Sequence, residues 1–86
     1  MHYVYVICDE NGKLYVGYTS NLEQRLEQHN TNQTKSTKGR TWKLVYYEAY
    51  ASKEDAVQRE LMLKQRGQSK RHLKERIQNS IASMDV

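Results

Sequence analysis

Two short apolar segments separated by a polar turn open the chain. Residues 2–8 are β-branched and aromatic on both faces, which predicts a strand covered on both sides. Asn11-Gly12 is a strong hairpin signal because both residue types tolerate a positive φ. Residues 14–18 predict the returning strand, so the N-terminal pattern indicates a β-hairpin.

A helix is predicted directly after the hairpin. Ser20 and Glu23 form a capping-box pattern, in which the hydroxyl and the carboxylate satisfy the first amides of a helix. The helix is expected over residues 21–30, with Leu22 and Leu26 as its inward residues.

The polar stretch at residues 31–41 predicts a flexible loop, and the aromatic stretch at 42–50 predicts a third strand. Strict alternation would divide the side chains of this strand between two faces. One face would carry Leu44, Tyr46 and Glu48, and the other Val45, Tyr47 and Ala49.

Two further helices complete the pattern. Ser52 caps a helix that is expected to run to about Arg66 and to stop at Gly67. Ser69 can cap a last helix, on which apolar residues recur four positions apart. These residues are Leu73, Ile77 and Ile81.

The order β-β-α-β-α-α implies an α/β (α+β) fold, a small, mainly antiparallel three-stranded sheet flanked by helices. With 86 residues the chain is expected to form a single domain, residues 1–86, with a frayed tail at 83–86. The single Cys8 excludes an internal disulfide and a Cys-rich zinc site. No apolar run reaches membrane-spanning length, so a soluble cytoplasmic protein that contacts no membrane is expected.

Charge is distributed unevenly along the chain, whose formal net charge is +4. Residues 31–86 hold twelve of the fourteen Lys and Arg residues but only six of the ten Asp and Glu residues. A basic rear half suits a polyanion such as nucleic acid, although a solvated surface explains the charge alone equally well. The candidate phosphate-binding residues are Lys35, Lys38, Arg40, Lys64, Arg66, Lys70, Arg71, Lys74 and Arg76.

Arg25 and His29 are four residues apart on the first helix and therefore share a face. A guanidinium suits phosphate, and histidine is the side chain most easily used as a proton carrier near neutral pH. Taken alone, the spacing favours the alternative, a surface arginine and a surface histidine that stabilise a helix C-terminus.

Glu60 falls on or beside the inward face of the second helix. An ionised carboxylate there needs a cation, a hydrogen-bond network or access to solvent. Mg²⁺ is one such partner, because it commonly takes one or two protein carboxylates plus water and phosphate. An ion pair with Lys64 is the common alternative. The apolar positions that define this face are Ala56, Val57, Leu61 and Leu63.

Tyr3 and Tyr5 share a face of the first strand, and Tyr15 lies on its neighbour. A phenol with a reference pKa of about 10 needs an adjacent base or cation to act in proton transfer. Gly17 inside a strand indicates a bulge or the close approach of a ligand. Strand packing is the alternative for all the tyrosines, and it is the interpretation preferred for Tyr46, Tyr47 and Tyr50.

The order and spacing of these residues resemble the GIY-YIG nuclease superfamily from residue 2 to about 77. The resemblance rests on Tyr3-Val4-Tyr5 and Tyr15-Val16-Gly17, followed by Arg25, His29 and Glu60. The segments 42–48 and 55–64 look like its small stand-alone bacterial branch. That branch is similar to the N-terminal nuclease domain of the excision-repair nuclease.

The resemblance implies a role for each matching residue. Tyr15 would assist or accept the proton of the attacking water, with Tyr5 as a supporting group of the site. Arg25 would stabilise charge on the transferring phosphate, and His29 matches a histidine found in part of the family. Glu60 matches the glutamate that holds a single divalent metal, Mg²⁺ or Mn²⁺.

The function implied is a metal-dependent DNA endonuclease of repair or recombination. DNA binding is expected to be weak or structure-preferring, and a protein partner could provide the targeting. The chain departs from the family pattern at Tyr3, where the first motif has glycine, and at Lys70 to His72, near where many members carry an asparagine. The alternative is a nonenzymatic nucleic-acid-binding module that retains the nuclease fold. A protein-interaction domain with incidental basicity ranks third.

Overall fold

The computed structural model describes residues 1–31, 41–65 and 68–82. Within these ranges the strands form one antiparallel sheet in the order β2-β1-β3. The predicted sheet, flanked by helices in the order β-β-α-β-α-α, is confirmed. The last predicted helix is divided into two, α3 and α4. The strands are β1 (His2–Asp9), β2 (Leu14–Thr19) and β3 (Trp42–Tyr50); the helices are α1 (Leu22–Asn30), α2 (Lys53–Lys64), α3 (Gln68–Arg76) and α4 (Gln78–Ala82).

The central strand β1 supplies both halves of the core, as the apolar pattern of residues 2–8 predicts. Val4 and Val6 pack with the buried residues of α2 and α3 on one face of the sheet. Tyr5 and Ile7 pack with Trp42 and with the leucines of α1 on the other face. The sheet is therefore covered on both sides, and the α1 side carries the aromatic half of the core.

The hairpin between β1 and β2 is held by the buried Asp9. Its Oδ1 accepts hydrogen bonds from the backbone amides of Asn11 and Lys13, at 2.9 and 2.8 Å. Gly12 adopts a φ of 83°, which a residue with a Cβ rarely takes. The predicted Asn-Gly hairpin signal is confirmed, with the positive φ on Gly12.

The helix boundaries differ from the predicted ones by one or two residues. α1 is capped by Asn21 rather than Ser20, because the Asn21 side chain accepts the Gln24 amide at 3.1 Å. Ser52 stands at the N-cap of α2, but its side chain makes no capping bond; its hydroxyl donates to the Glu54 carboxylate at 2.8 Å. α2 ends at Lys64 instead of near Arg66.

The predicted apolar face of the last helix is confirmed across the break between α3 and α4. Leu73 and Ile77 are each 5% exposed, and Ile81 packs against them. Backbone bonds from Ile77 to Leu73 and from Ile81 to Ile77, both 3.0 Å, continue the helical pattern. Most of the predicted loop and the predicted frayed tail, 32–40 and 83–86, lie outside the described residues.

A β-bulge breaks the alternation predicted for β3. Val6 pairs with Tyr46 while Ile7 pairs with Leu44, so Val45 is an extra residue between them. Leu44 consequently packs on the α1 side, whereas Val45 and Tyr46 both pack with the core on the other side. The predicted division of this strand into two alternating faces is wrong at Leu44 and Val45.

Candidate active site

The side chain of Tyr5 lies across the backbone of β2 at Gly17. The two residues are cross-strand partners in regular antiparallel pairing, and Tyr5 is only 1% exposed. A Cβ at position 17 would overlap the hydroxyl and ring of Tyr5. The prediction of a bulge or an approaching ligand at Gly17 is therefore wrong, because a tyrosine of the same sheet fills the space.

The Tyr5 hydroxyl meets two side chains of α1. Its oxygen lies 2.6 Å from His29 Nε2, and Arg25 Nε donates to it at 3.4 Å. Arg25 can only donate, so the arrangement that uses all three groups has the phenol donating to His29 Nε2, with the imidazole proton on Nδ1. Arg25 Nη1 donates in turn to Gln28 Oε1 at 3.1 Å, which fixes a second edge of the guanidinium.

Both members of the short bond between Tyr5 and His29 are neutral near pH 7. Burial raises the pKa of Tyr5 to about 12, although the hydrogen bond and charge of Arg25 act against this rise. Burial, together with the charge of Arg25, lowers the pKa of His29 to about 4. His29 is completely buried, so its interpretation as a charged surface residue at a helix C-terminus is wrong.

Tyr15 stands beside this cluster in a different environment. Its ring centroid lies 5.1 Å from that of His29 and 6.1 Å from that of Trp42, in edge-to-face contacts. Asn30 holds Trp42 in place by bonding both its backbone N–H and its carbonyl, at 2.7 and 2.9 Å. Tyr15 is half-buried, and within the described ranges its hydroxyl has no recorded hydrogen-bond partner.

Glu60 reaches the cluster from α2. Its Oε2 lies 3.1 Å from Lys64 Nζ, and the Lys64 ammonium is 5.7 Å from the centroid of the Tyr15 ring. Burial is the main cause of the raised pKa of Tyr5, and the charge of Glu60 adds to that rise, so the carboxylate is within electrostatic range of the phenol. The ion pair with Lys64, which the sequence offered as the alternative to a metal site, is therefore present. The carboxylate is still accessible to solvent, since 17% of the Glu60 side chain is exposed.

The inward face of α2 is narrower than the sequence predicts. Ala56 and Leu63 are fully buried, but Leu61 is 54% exposed and the neighbouring Met62 46%. Leu61 is therefore not part of the inward face. Glu60 lies at its border, as expected.

The residues present fit a divalent metal held by one carboxylate. In the part of the chain that the structure describes, no three His, Cys, Asp or Glu side chains gather to form a metal site. A single carboxylate is nevertheless a sufficient protein ligand for a hard cation that keeps several waters. Lys64, the present partner of Glu60, is 46% exposed and can move into solvent.

The predicted nucleic-acid-binding residues fall into three groups. Lys70, Arg71, Lys74 and Arg76 are exposed on α3, and Arg71 pairs with Glu75 at 3.6 Å. Lys64 is exposed but engaged by Glu60. Four others, Lys35, Lys38, Arg40 and Arg66, lie outside the described residues.

One polar network was missed at the sequence level. The hydroxyls of Tyr46 and Tyr50 both donate to the Glu48 carboxylate, and Arg59 binds the same carboxylate through Nε and Nη2 at 3.0 to 3.2 Å. Burial alone would raise the pKa of Glu48, but the bonds from Arg59 and the two tyrosines lower it. The signal was the period-2 spacing of Tyr46, Glu48 and Tyr50, which places all three on one face of a strand.

Comparison with known proteins gives consistent matches along most of the chain. The family described as the GIY-YIG catalytic domain matches residues 1–78. A UPF0213 protein of Oceanobacillus iheyensis is 41% identical over 66 residues, which cover 74% of this chain and 77% of that protein. One of Natronomonas pharaonis is 42% identical over 72 residues, covering 81% and 85%. The solution NMR structure of a UPF0213 protein from Bacillus halodurans has a TM-score of 0.53 and 34% identity, covering 84% of this chain and 79% of that one.

Proposed function

Because the chain belongs to the GIY-YIG family of nuclease catalytic domains, we propose that it is a metal-dependent DNA endonuclease that hydrolyses phosphodiester bonds. The observation that carries the proposal is the meeting of Arg25 and His29 at the Tyr5 hydroxyl, with Tyr15 in contact with His29 and Glu60 within electrostatic range. These five residues come from β1, β2, α1 and α2, so it is the fold that brings them together. DNA repair or recombination in the cytoplasm is the proposed setting.

Two tyrosines would have distinct roles in this reaction. Tyr15 is the one suited to contact the attacking water, because it is half-buried and its hydroxyl has no recorded partner in the described ranges. Tyr5 is buried and its hydroxyl is engaged on both sides, which suits a residue that holds Arg25 in position. His29 would act through Tyr5, as a positioning residue whose Nε2 accepts a hydrogen bond from the phenol.

Arg25 would bind the phosphate. Its Nε and Nη1 are engaged by Tyr5 and Gln28, so the guanidinium is held in one orientation before substrate arrives. A fixed guanidinium stabilises charge that develops on a phosphoryl group without paying for its own reorganisation. The remaining N–H groups of Arg25 would donate to a non-bridging phosphate oxygen.

Glu60 would hold the divalent cation, Mg²⁺ or Mn²⁺. The cation, when bound, supplies Lewis-acid stabilisation of charge on a phosphate or leaving oxygen. Lys64 would have to release Glu60 for this, and its ammonium would then remain near Tyr15 and the bound phosphate.

Substrate binding outside the site would depend on backbone phosphate. The exposed bases of α3, Lys70, Arg71 and Lys74, can contact phosphates but form no reading element for base edges. Binding is therefore proposed to be weak or structure-preferring, and a protein partner could supply targeting.

The test is nicking of supercoiled plasmid over a titration of Mg²⁺ and Mn²⁺. The Glu60→Gln variant should nick roughly 100-fold more slowly or worse, because it removes the carboxylate that holds the cation. Glu54→Gln is the matched control: it makes the same change on an exposed residue of α2 and should nick at the wild-type rate. Equal rates for wild type and Glu60→Gln would assign the activity to a contaminant and reject the proposal.

One feature favours a second candidate, a nucleic-acid-binding module without activity. Lys70, Arg71 and His72 stand near where many family members carry an asparagine, and all three are exposed. Binding of DNA with no cleavage in any metal would support this second function over the first.

A further inference from the structure

A cleft of about 210 Å³ lies between α2 and α3. Its lining has three side chains that carry or can acquire positive charge, one hydroxyl and one leucine, and none of the described lining residues is acidic. No residue proposed for the nuclease site lines it. The lining residues are Arg59, Ser69, His72, Leu73 and Arg76.

Arg59 is the fixed element of this cleft. Its Nε and Nη2 bind the Glu48 carboxylate, which is held in turn by the hydroxyls of Tyr46 and Tyr50. This fork uses one edge of the guanidinium, and no hydrogen bond from Nη1 is recorded within the described residues. A planar guanidinium anchored in this way presents its remaining donors at little further entropy cost.

The other polar groups of the cleft come from one face of α3. Ser69, His72 and Arg76 follow one another at spacings of three and four residues. Throughout the described ranges, no hydrogen bond or ion pair is recorded for any of the three. Arg71 on the same helix differs, because it pairs with Glu75.

We propose that this cleft binds a phosphate group, with Arg59 and Arg76 as its two guanidinium ligands. Ser69 can donate its hydroxyl, and His72 can donate a ring N–H to a third oxygen. A tetrahedral oxyanion with several acceptor oxygens matches donors that arrive from two helices, whereas a single carboxylate would leave some of them unused. The site is independent of the proposed nuclease site. Its phosphate could come from a free phosphate or phosphomonoester, or from the backbone of a nucleic acid.

The test is an NMR titration of the backbone amides with inorganic phosphate, at an ionic strength held constant with chloride. We expect saturable shifts at residues 69–76 in the wild-type protein. Arg76→Gln should weaken binding about tenfold, since a hydrogen bond from a charged donor is lost. Lys53→Gln removes one positive charge from an exposed residue outside the cleft and should change inorganic phosphate binding less than twofold. Both residues are exposed, so both variants are expected to fold, which thermal melting checks.

Two oligonucleotides of one sequence, with and without a 5′-phosphate, distinguish the sources. Equal shifts at residues 69–76 assign the site to backbone phosphodiester, and shifts confined to the phosphorylated oligonucleotide assign it to a terminal or free phosphate. Absence of saturable binding to inorganic phosphate, or equal weakening by Arg76→Gln and Lys53→Gln, would overturn the proposal.

Discussion

The Tyr5 hydroxyl connects the sheet to α1 through a single oxygen atom. It can occupy that place because the facing residue of β2 is glycine, and because a neutral imidazole and a guanidinium arrive four residues apart on one helix. Small changes around this atom should consequently have large effects on folding and on the geometry of the site.

Gly17→Ala tests the close approach of Tyr5 to β2. The new methyl group would overlap the Tyr5 ring and hydroxyl, so we expect the free energy of unfolding in urea to fall by about 1–3 kcal/mol. In a Tyr5→Leu background the same change should cost distinctly less, because the overlapping atoms are gone. An equal cost in both backgrounds would contradict the contact.

The protonation of His29 predicts how stability depends on pH. The unfolded chain binds a proton at this residue with a pKa near 6.5, and the folded chain only near 4, so the unfolded state holds more protons between these values. The free energy of unfolding should fall by up to about 3 kcal/mol from pH 6.5 to 4 and level off below that range. Urea melts of His29→Gln should lack this component; an identical pH profile would show that His29 is not responsible.

At the scale of elements, α2 contributes adjacent residues to both proposed sites. Arg59 turns to Glu48 of β3, while Glu60 and Lys64 lie towards Tyr15 of β2, at the other edge of the sheet. Neighbouring residues on a helix point about 100° apart, which allows one helix to reach both edges. The helix therefore carries both the proposed phosphate cleft and the proposed metal ligand. Arg59 and Glu60 nevertheless pair with different partners, Glu48 and Lys64.

Lys64→Gln should strengthen binding of a divalent cation. The ammonium of Lys64 competes for the Glu60 carboxylate, so its removal is expected to lower the dissociation constant for Mn²⁺ about two- to fivefold. Paramagnetic relaxation of water measures this binding directly. Lys53→Gln makes the same charge change at the start of the same helix and is the control. Unchanged affinity, or an equal gain in both variants, would argue against competition at Glu60.

Elements were predicted better than their details, for a physical reason. Hydrophobic period and turn residues are local, and they gave the hairpin, both faces of β1 and the apolar face of the last helices. The bulge at Val45 depends on how β3 pairs with β1, and the cap at Asn21 depends on the exact course of the chain after β2. The bulge is set by a strand distant in sequence, which a local pattern does not contain. The cap is set by the turn at Thr19, whose hydroxyl bonds the backbone of Asn21, and a choice between two adjacent capping residues lies within the usual error of a helix boundary.

At the scale of the whole molecule, the two faces of the sheet are used differently. The α1 side brings Tyr5, Tyr15 and Trp42 together near His29. On the opposite side the buried residues are aliphatic, and the tyrosines at 18, 46 and 50 pack against them only partly buried. Among the described residues no helix combines the length and apolar character needed to cross a membrane. The order of the candidate residues along the chain indicated the proposed site, and the four-residue spacing indicated the ion pair between Glu60 and Lys64, but neither indicated that His29 would be buried.

The most direct measurement is the single-turnover rate of plasmid nicking in Mg²⁺ for Tyr15→Phe and Tyr3→Phe. Each variant loses one phenol oxygen from one of two paired strands, but only Tyr15 contacts His29, while Tyr3 packs edge-on against Tyr47. If the Tyr15 hydroxyl handles the proton of the attacking water, Tyr15→Phe should lose roughly 100-fold or more and Tyr3→Phe should keep the wild-type rate. Equal rates for the two variants would contradict the account.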